Sequence, residues 1–310
     1  MANQVSKSQE YEILKSDNKI HISFSEYSLF NQCGHRHLLE KRLALIQQPP
    51  SIHLYFGNAI HSALELSLKN GHNVENMIDF FKSTFSKDMM DNMKETADFK
   101  NNFYDFLEQG EQILRILEIE KIFSDYEVVS IEEALYENLY LKYYFKGFID
   151  LVLRHKITRR YKIVDWKTSG TDWDVKKKKK DEIFLGQMRF YKFFWARKNQ
   201  IELSNIDCGY IVLNRLRDKK DPKSYPGNIQ EVDVDSTEDE IKISLEKLAS
   251  TIKMIHVNQE FPKIKHTSGV GGCIFCPLKG GRHPLCNADK KQYKSILKEH
   301  KKKMLSSQKV

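Results

Sequence analysis

The spacing of apolar residues changes period along the chain, and each change predicts an element. Apolar positions recur at three- and four-residue intervals over residues 54–69, 74–86 and 99–122, the stripe of amphipathic helices. Between residues 127 and 166 the period drops to two, which predicts four strands at 127–135, 136–145, 148–153 and 161–166. Helical spacing returns over 183–198 and 238–258, and short apolar runs at 208–213 and near 229–234 read as strands. Near the beginning, Ser23 with Glu26 three residues on forms a capping box. The helix it opens runs to about residue 43, with Tyr27, Phe30 and Leu38 on its apolar side, before a Pro-containing loop through Ser51.

Within this pattern one polar pair stands out. In Ile163-Val164-Asp165-Trp166-Lys167, strand alternation puts Asp165 and Lys167 on one face and Val164 and Trp166 on the other. An isolated Asp-x-Lys is ordinarily an ion pair on a solvated sheet. The upstream strand 148–153 changes that reading, because the polar, basic segment 155–160 between the two strands reads as a hairpin connection. A turn near Ile157 and Thr158 sets facing residues to sum to 315, so that Asp150 lies opposite Asp165. Two carboxylates opposed at about 5 Å destabilise a sheet. A divalent cation between them reverses the sign, since Mg²⁺ is bound by one or two carboxylates together with phosphate oxygens. Lys167 beside them suits a phosphate oxygen or an attacking water.

Asp150 followed by Asp165-Trp166-Lys167 resembles the D…(D/E)xK signature of the PD-(D/E)XK nuclease superfamily. Two further motifs stand in that family's order. Gly57-Asn58-Ala59-Ile60-His61 resembles the G-x-x-x-H helix motif of the RecB-like branch, and Gln187-Met188-Arg189-Phe190-Tyr191 its Q-x-x-x-Y motif. The resemblance implies an α/β restriction-endonuclease-like core, a mixed central sheet flanked by helices, with the helices of residues 54–122 as an insertion. It implies Asp150, Asp165 and Lys167 as catalytic, His61 with Asp150 and Asp165 as ligands of Mg²⁺ or Mn²⁺, and Gln187 and Tyr191 as substrate contacts. Each motif also has a plain structural reading: His61 as a boundary histidine beside Ile60, Ala63 and Leu64, and Gln187 with Tyr191 as packing on an aromatic-rich helix. Glu65, one turn after His61, is a further carboxylate on the same helical face.

Of five cysteines, Cys273, Cys276 and Cys286 fall in a Gly- and Pro-rich segment, where C-x₂-C binds Zn²⁺ or an iron–sulfur cluster. Ser23-x-Ser25-x-x-x-Leu29-Phe30-x-x-Cys33 is similar to the start of iron–sulfur RecB-like nucleases, the group of Cas4, the Dna2 nuclease domain and AddB. That resemblance implies a [4Fe–4S] cluster held by Cys33, Cys273, Cys276 and Cys286. Two departures keep Zn²⁺ open: Gly34 stands where the family usually has Pro, and nine residues separate Cys276 from Cys286. His283, His35 and His37 are the nearby zinc-compatible side chains. Cys208, in an apolar strand, reads as a core residue.

With 310 residues, 40% hydrophobic and 30% charged, the chain can bury one sizeable core. We read residues 1–20 as a loose tail, 21–287 as one nuclease domain with its cysteine segment at 269–287, and 288–310 as a basic tail. A net charge of +8 favours a polyanionic partner, here DNA as single strands or ends. The lysine run 176–180 after the Asp-x-Lys strand either tracks phosphates or is a solvated loop. No stretch approaches the roughly 18 apolar residues of a membrane span, no G-x-x-x-x-G-K-[ST] loop is present, and cysteines clustered for metal suit a reducing cytoplasm. The expectation is a cytoplasmic Mg²⁺- or Mn²⁺-dependent DNA exonuclease of recombination, repair or Cas4-like processing, with unwinding left to a separate helicase or recombination protein. The alternative is a non-catalytic nucleic-acid-binding subunit with a structural Zn or Fe–S site.

Overall fold

The computed structural model describes residues 20–47 and 51–263, except residues 72, 95, 219 and 222–225, together with Cys276, residues 284–287 and Ser295. In chain order the elements begin with strand β1 (Ile20–Ser23) and helices α1 (Phe24–Gln32) and α2 (Gly34–His37). Three long helices follow, α3 (Ile52–Asn70), α4 (Val74–Met93) and α5 (Ala97–Ile116), then the short α6 (Ile119–Ile122). Next come β2 (Tyr126–Tyr140), β3 (Tyr143–His155), β4 (Tyr161–Ser169), α7 (Val175–Lys178), α8 (Glu182–Asn199), β5 (Ile206–Asn214), β6 (Asn228–Asp233), α9 (Glu238–Ile252) and α10 (Pro284–Asn287). The chain divides into two compact units, one of Met1–Pro49, Tyr140–Tyr143 and Lys247–Val310, the other of Pro50–Leu139 and Tyr144–Glu246. The expected single domain over 21–287 is thus distributed over both.

The second unit is a mixed sheet flanked by helices. β3, β4, β5 and β6 lie side by side, and β2 pairs with β3. β3 and β4 are antiparallel, with Leu151 opposite Val164 and Val152 opposite Ile163, the register in which numbers sum to 315. The hairpin between them is closed by His155, whose Nδ1 accepts the N–H groups of Ile157 and Thr158 at 3.2 Å. β4 and β5 run parallel, connected through α8, and β6 returns antiparallel. Alternation sends Val164, Trp166, Ile211 and Leu213 into one apolar core with α3, α4 and α5, built on Phe56, Phe81, Phe85, Phe103 and Phe106. The helices expected as an insertion over residues 54–122 pack on one face of the sheet. On the other face Phe145 stacks on Phe194 of α8 at 4.5 Å and Tyr210 on Phe184 at 4.4 Å, with Tyr210 Oη donating to the Phe184 carbonyl.

Two expected elements differ. The predicted strand boundary at 135/136 is absent: β2 runs unbroken to Tyr140, just before Leu141, whose φ of 49° lies at the turn into β3. The predicted helix 99–122 breaks at Leu117 (φ −82°, ψ 88°), so that α6 is a separate turn.

In the first unit Ser23 caps α1 by accepting the Glu26 N–H at 3.2 Å, but the Glu26 carboxylate leaves the box and takes buried His37 at 2.8 Å. Cys33 (φ −167°) separates α1 from α2. Gly34 is fixed by crowding: a Cβ there would lie 2.7 Å from Cδ of Pro262. Leu39 and Cys286 form a small buried cluster with Leu43, Leu45, Ile46, Cys276 and Leu285 against it.

A second crowded glycine tests the helical core. A Cβ on Gly110, inside α5, would stand 2.1 Å from the ring of Phe81. Alanine raises helix propensity by up to about 1 kcal/mol, whereas overpacking a core costs about 1–3 kcal/mol. Gly110→Ala should therefore lower the melting temperature, and a thermal melt showing stabilisation would mean that the Phe81 stack yields without cost.

Candidate active site

The ladder between β3 and β4 ends where the acids begin. Beyond the Leu151–Val164 pair, where the register ends, Asp150 Oδ2 accepts the backbone N–H of Trp166, the residue after Asp165, at 2.8 Å. A carboxylate thus replaces a ladder carbonyl and is pinned beside the second acid. His61, on the third turn of α3, places Nδ1 3.5 Å from the same Asp150 oxygen. Burial pushes the His61 imidazole down, but Asp150, and then Asp165, pull it above its usual value.

Asp165 is 2% exposed. Its Oδ1 accepts from Gln187 Nε2 at 2.8 Å, and that amide also lies 3.3 Å from Tyr191 Oη. Lys167 Nζ ion-pairs with Oδ2 at 2.5 Å, so each oxygen of the buried carboxylate has a polar neighbour. Burial raises the Asp165 carboxyl from 3.8 to about 6, with Lys167 opposing and Asp150 reinforcing. Burial outweighs the ion pair because Lys167 is a third exposed and its charge is shared with water. Gln187 and Tyr191, expected at the substrate, are both buried, and Gln187 serves as a brace for Asp165. Burial, with Asp165 and Asp150 nearby, drives the Tyr191 phenol upward, so it stays neutral.

One residue of the constellation escapes sequence reasoning. Ligand atoms of His61, Glu132 and Asp150 all lie within 4.8 Å of one another. Glu132 sits in β2 with φ 53°, a left-handed conformation that costs a non-glycine residue about 1–2 kcal/mol and re-aims a side chain out of strand alternation. Its neighbour Glu133 serves the fold, accepting from Trp195 Nε1 at 2.9 Å and Lys198 Nζ at 2.8 Å. Nothing in the Glu-Glu pair says which acid turns inward. Glu65 does not join the site and instead pairs with Lys69 at 2.6 Å.

One imidazole and two half-buried carboxylates, with the buried carboxylate of Asp165 nearby, fit a hard divalent cation. A mixed sheet carrying this acid–histidine–lysine set defines a phosphodiesterase class. The PD-(D/E)XK nuclease superfamily model matches residues 21–280, and the chain belongs to that family, whose nucleases use divalent metals. Among solved structures, the crystal structure of SSO0001 is 16% identical, with 82% of this chain and 96% of that chain covered and a TM-score of 0.31. A comparison with curated proteins found no match. Among the described residues no helix is long and apolar enough to cross a membrane.

In the first unit, His35 Nε2 lies 3.0 Å from the Leu285 carbonyl and Lys263 Nζ donates to the Cys286 carbonyl at 2.7 Å, which brings the segment after Cys33 beside Cys286. Cys276 packs on the same Leu39–Cys286 cluster. Cys273 and His283 lie outside the described residues, as do residues 1–19 and nearly all of the basic tail. Cys208 is buried in β5, and burial lifts its thiol to about 12, which suits a core residue.

Because Asp165 has a higher pKa folded than unfolded, the folded chain holds the extra proton between those values. That stabilisation is present below about pH 4 and lost as pH rises through about 6. In metal-free protein, Asp165→Asn should therefore melt above the native chain at pH 8, by up to about 3 kcal/mol, and lose the advantage near pH 4. Saturating Mn²⁺ should narrow the difference at pH 8. Thermal melts with a pH-independent gap would show that Asp165 is not held neutral.

Proposed function

We propose that this protein is a Mg²⁺- or Mn²⁺-dependent DNA nuclease, an exonuclease acting on ends or single strands in recombination, repair or Cas4-like DNA processing. The convergence of His61, Glu132 and Asp150, with buried Asp165 close enough to act on the His61 imidazole, carries the reading. A scaffold gains nothing from four costly groups gathered in one place. His61, Glu132, Asp150 and Asp165 would hold the ion, which supplies Lewis-acid stabilisation of a phosphate and a more acidic water when bound. Lys167 orients that water or offsets charge developing on the phosphate. Gln187 keeps Asp165 aimed, with Tyr191 packed behind it. The preference for ends or single strands rests on the resemblance to the RecB-like branch, and the net charge of +8 favours DNA as the polyanion.

Asp150→Ala, Asp165→Ala and Lys167→Ala should each lower cleavage of end-labelled DNA by at least about 100-fold. DNA affinity should change far less, since it comes from phosphate contacts spread over the surface. Glu132→Gln and His61→Ala should raise the metal concentration needed, with extra Mn²⁺ restoring part of the activity. Full activity in either aspartate variant would sink the assignment.

The reading extends to a [4Fe–4S] cluster on Cys33, Cys273, Cys276 and Cys286. Its support is the meeting of the Cys33 and Cys286 segments about 250 residues apart in the chain, since a metal centre there clamps a very long loop. Anaerobically purified protein should be brown, with about four irons and four sulfides per chain. Cys33→Ala and Cys276→Ala should both lose the colour, and Cys208→Ala should keep it. A colourless protein with one tightly held zinc would transfer the site to Zn²⁺.

A further inference from the structure

The arginines of the described residues mostly answer to acids. Arg36 meets Glu40, Arg115 meets Glu75 and Glu111, Arg154 meets Glu127, Arg160 meets Asp207, and Arg189, 3% exposed, meets Glu182 and Glu240. Arg215 does not. It is half-buried, and among the described residues its guanidinium has no carboxylate within 4.0 Å. Nη1 donates to the neutral Oε1 of buried Gln109 at 2.8 Å, and the guanidinium carbon stands 4.3 Å from the centre of the Phe106 ring. A guanidinium carries five N–H donors, and one is satisfied by a side chain. Burial without a counter-ion pulls its pKa down to about 10, so it remains cationic at neutral pH. A desolvated cation braced on one arm, stacked on one face and otherwise unanswered is an arrangement for a planar, bidentate anion contact.

Its position says which anion. Arg215 follows the last rung of the β4–β5 ladder, Asn214 opposite Ser169, and its N–H bonds to the Ser169 carbonyl at 3.0 Å. Ser169 is two residues beyond Lys167, roughly 7 Å of strand. On α3 the neighbour is Phe56, 5.7 Å from the guanidinium and five residues before His61, roughly 7 Å of helix. Alternation sends Lys167 and Arg215 to opposite faces, so they flank the end of the sheet, where a nucleic-acid strand entering the metal-ligand cluster would cross. We propose that Arg215 binds a phosphate of the substrate strand, one that flanks the scissile phosphate. This rests on the nuclease reading, and it makes Gln109 and Phe106 positioning residues for the arginine. The phosphate is either an internal diester or the strand's terminal monoester.

The test uses the full chain and a fluorescent single-stranded oligonucleotide, with binding read by anisotropy in EDTA and cleavage in Mn²⁺. Arg215→Gln should weaken binding about ten-fold, the order expected for a charge-assisted hydrogen bond. It should also flatten the slope of log K against log salt by about 0.7, one phosphate on a single strand. Arg215→Lys should recover part of the affinity and all of the slope. A single neutral methylphosphonate, moved along the oligonucleotide, should cost the native protein about the same ten-fold at one position and cost Arg215→Gln nothing there. If removing the terminal phosphate reproduces this instead, the monoester is the ligand. A purely structural arginine predicts a lower melting temperature with the slope and the scan unchanged, and that result overturns the proposal. Should Arg215→Gln fail to fold, a native scan with no position more costly than the rest overturns it equally. If the native chain neither binds nor cleaves DNA, the nuclease reading falls and takes this proposal with it. Native binding and cleavage with an indifferent Arg215→Gln removes this proposal alone.

Discussion

A carboxylate sealed inside the sheet sets the terms for everything around it. Asp165 has one oxygen bound by Gln187 and the other ion-paired with Lys167. A buried charge is costly even when paired, and its surroundings are arranged to tolerate it. Asp150 is held off by the Trp166 N–H, His61 is drawn toward its charged form, and Glu132 comes in through a strained backbone. Acids gathered this closely favour positive charge between them, part of which Lys167 and the His61 imidazole supply.

Much of this was legible in the residues because strand physics is local. The hairpin register follows from one turn, His155 to Arg160, and that register brings Asp150 to the strand that carries Asp165, where it accepts the Trp166 N–H. Gln187 and Tyr191, four apart on α8, necessarily share a face. What was not legible depends on features without local signature. Glu132 reaches the site through a positive φ that its neighbours do not dictate. For residues 54–122 an amphipathic stripe states that each helix buries one face, not what it buries it against. Their partners proved to be Leu151, Val164 and Trp166 of the sheet. Gly34 looked like a departure from family pattern until the close approach of Pro262 gave it a steric reason.

The two sheet faces divide the labour. The face toward α3, α4 and α5 is largely apolar, with Arg215 set on Gln109 and Phe106, and its aromatic stack supplies the burial that holds α3 in place. The face toward α8 admits polar groups only where they are braced, with Asp165 on Gln187 and Tyr210 on the Phe184 carbonyl. His61 crosses this division, since it rides on the helix of the first face and serves the carboxylates of the second.

The order of these residues along the chain bears on how the site comes into being. Glu132, Asp150, Asp165, Lys167, Gln187 and Tyr191 belong to one run of strands and helix with short connections, so their mutual arrangement forms at small loop-closure cost. His61 lies far upstream and must be delivered by docking a whole helix. The loop joining the imidazole to the acids is therefore longer than any that joins the acids to one another, and His61 is the one member of the set whose placement depends on the packing of a whole helix rather than on strand register.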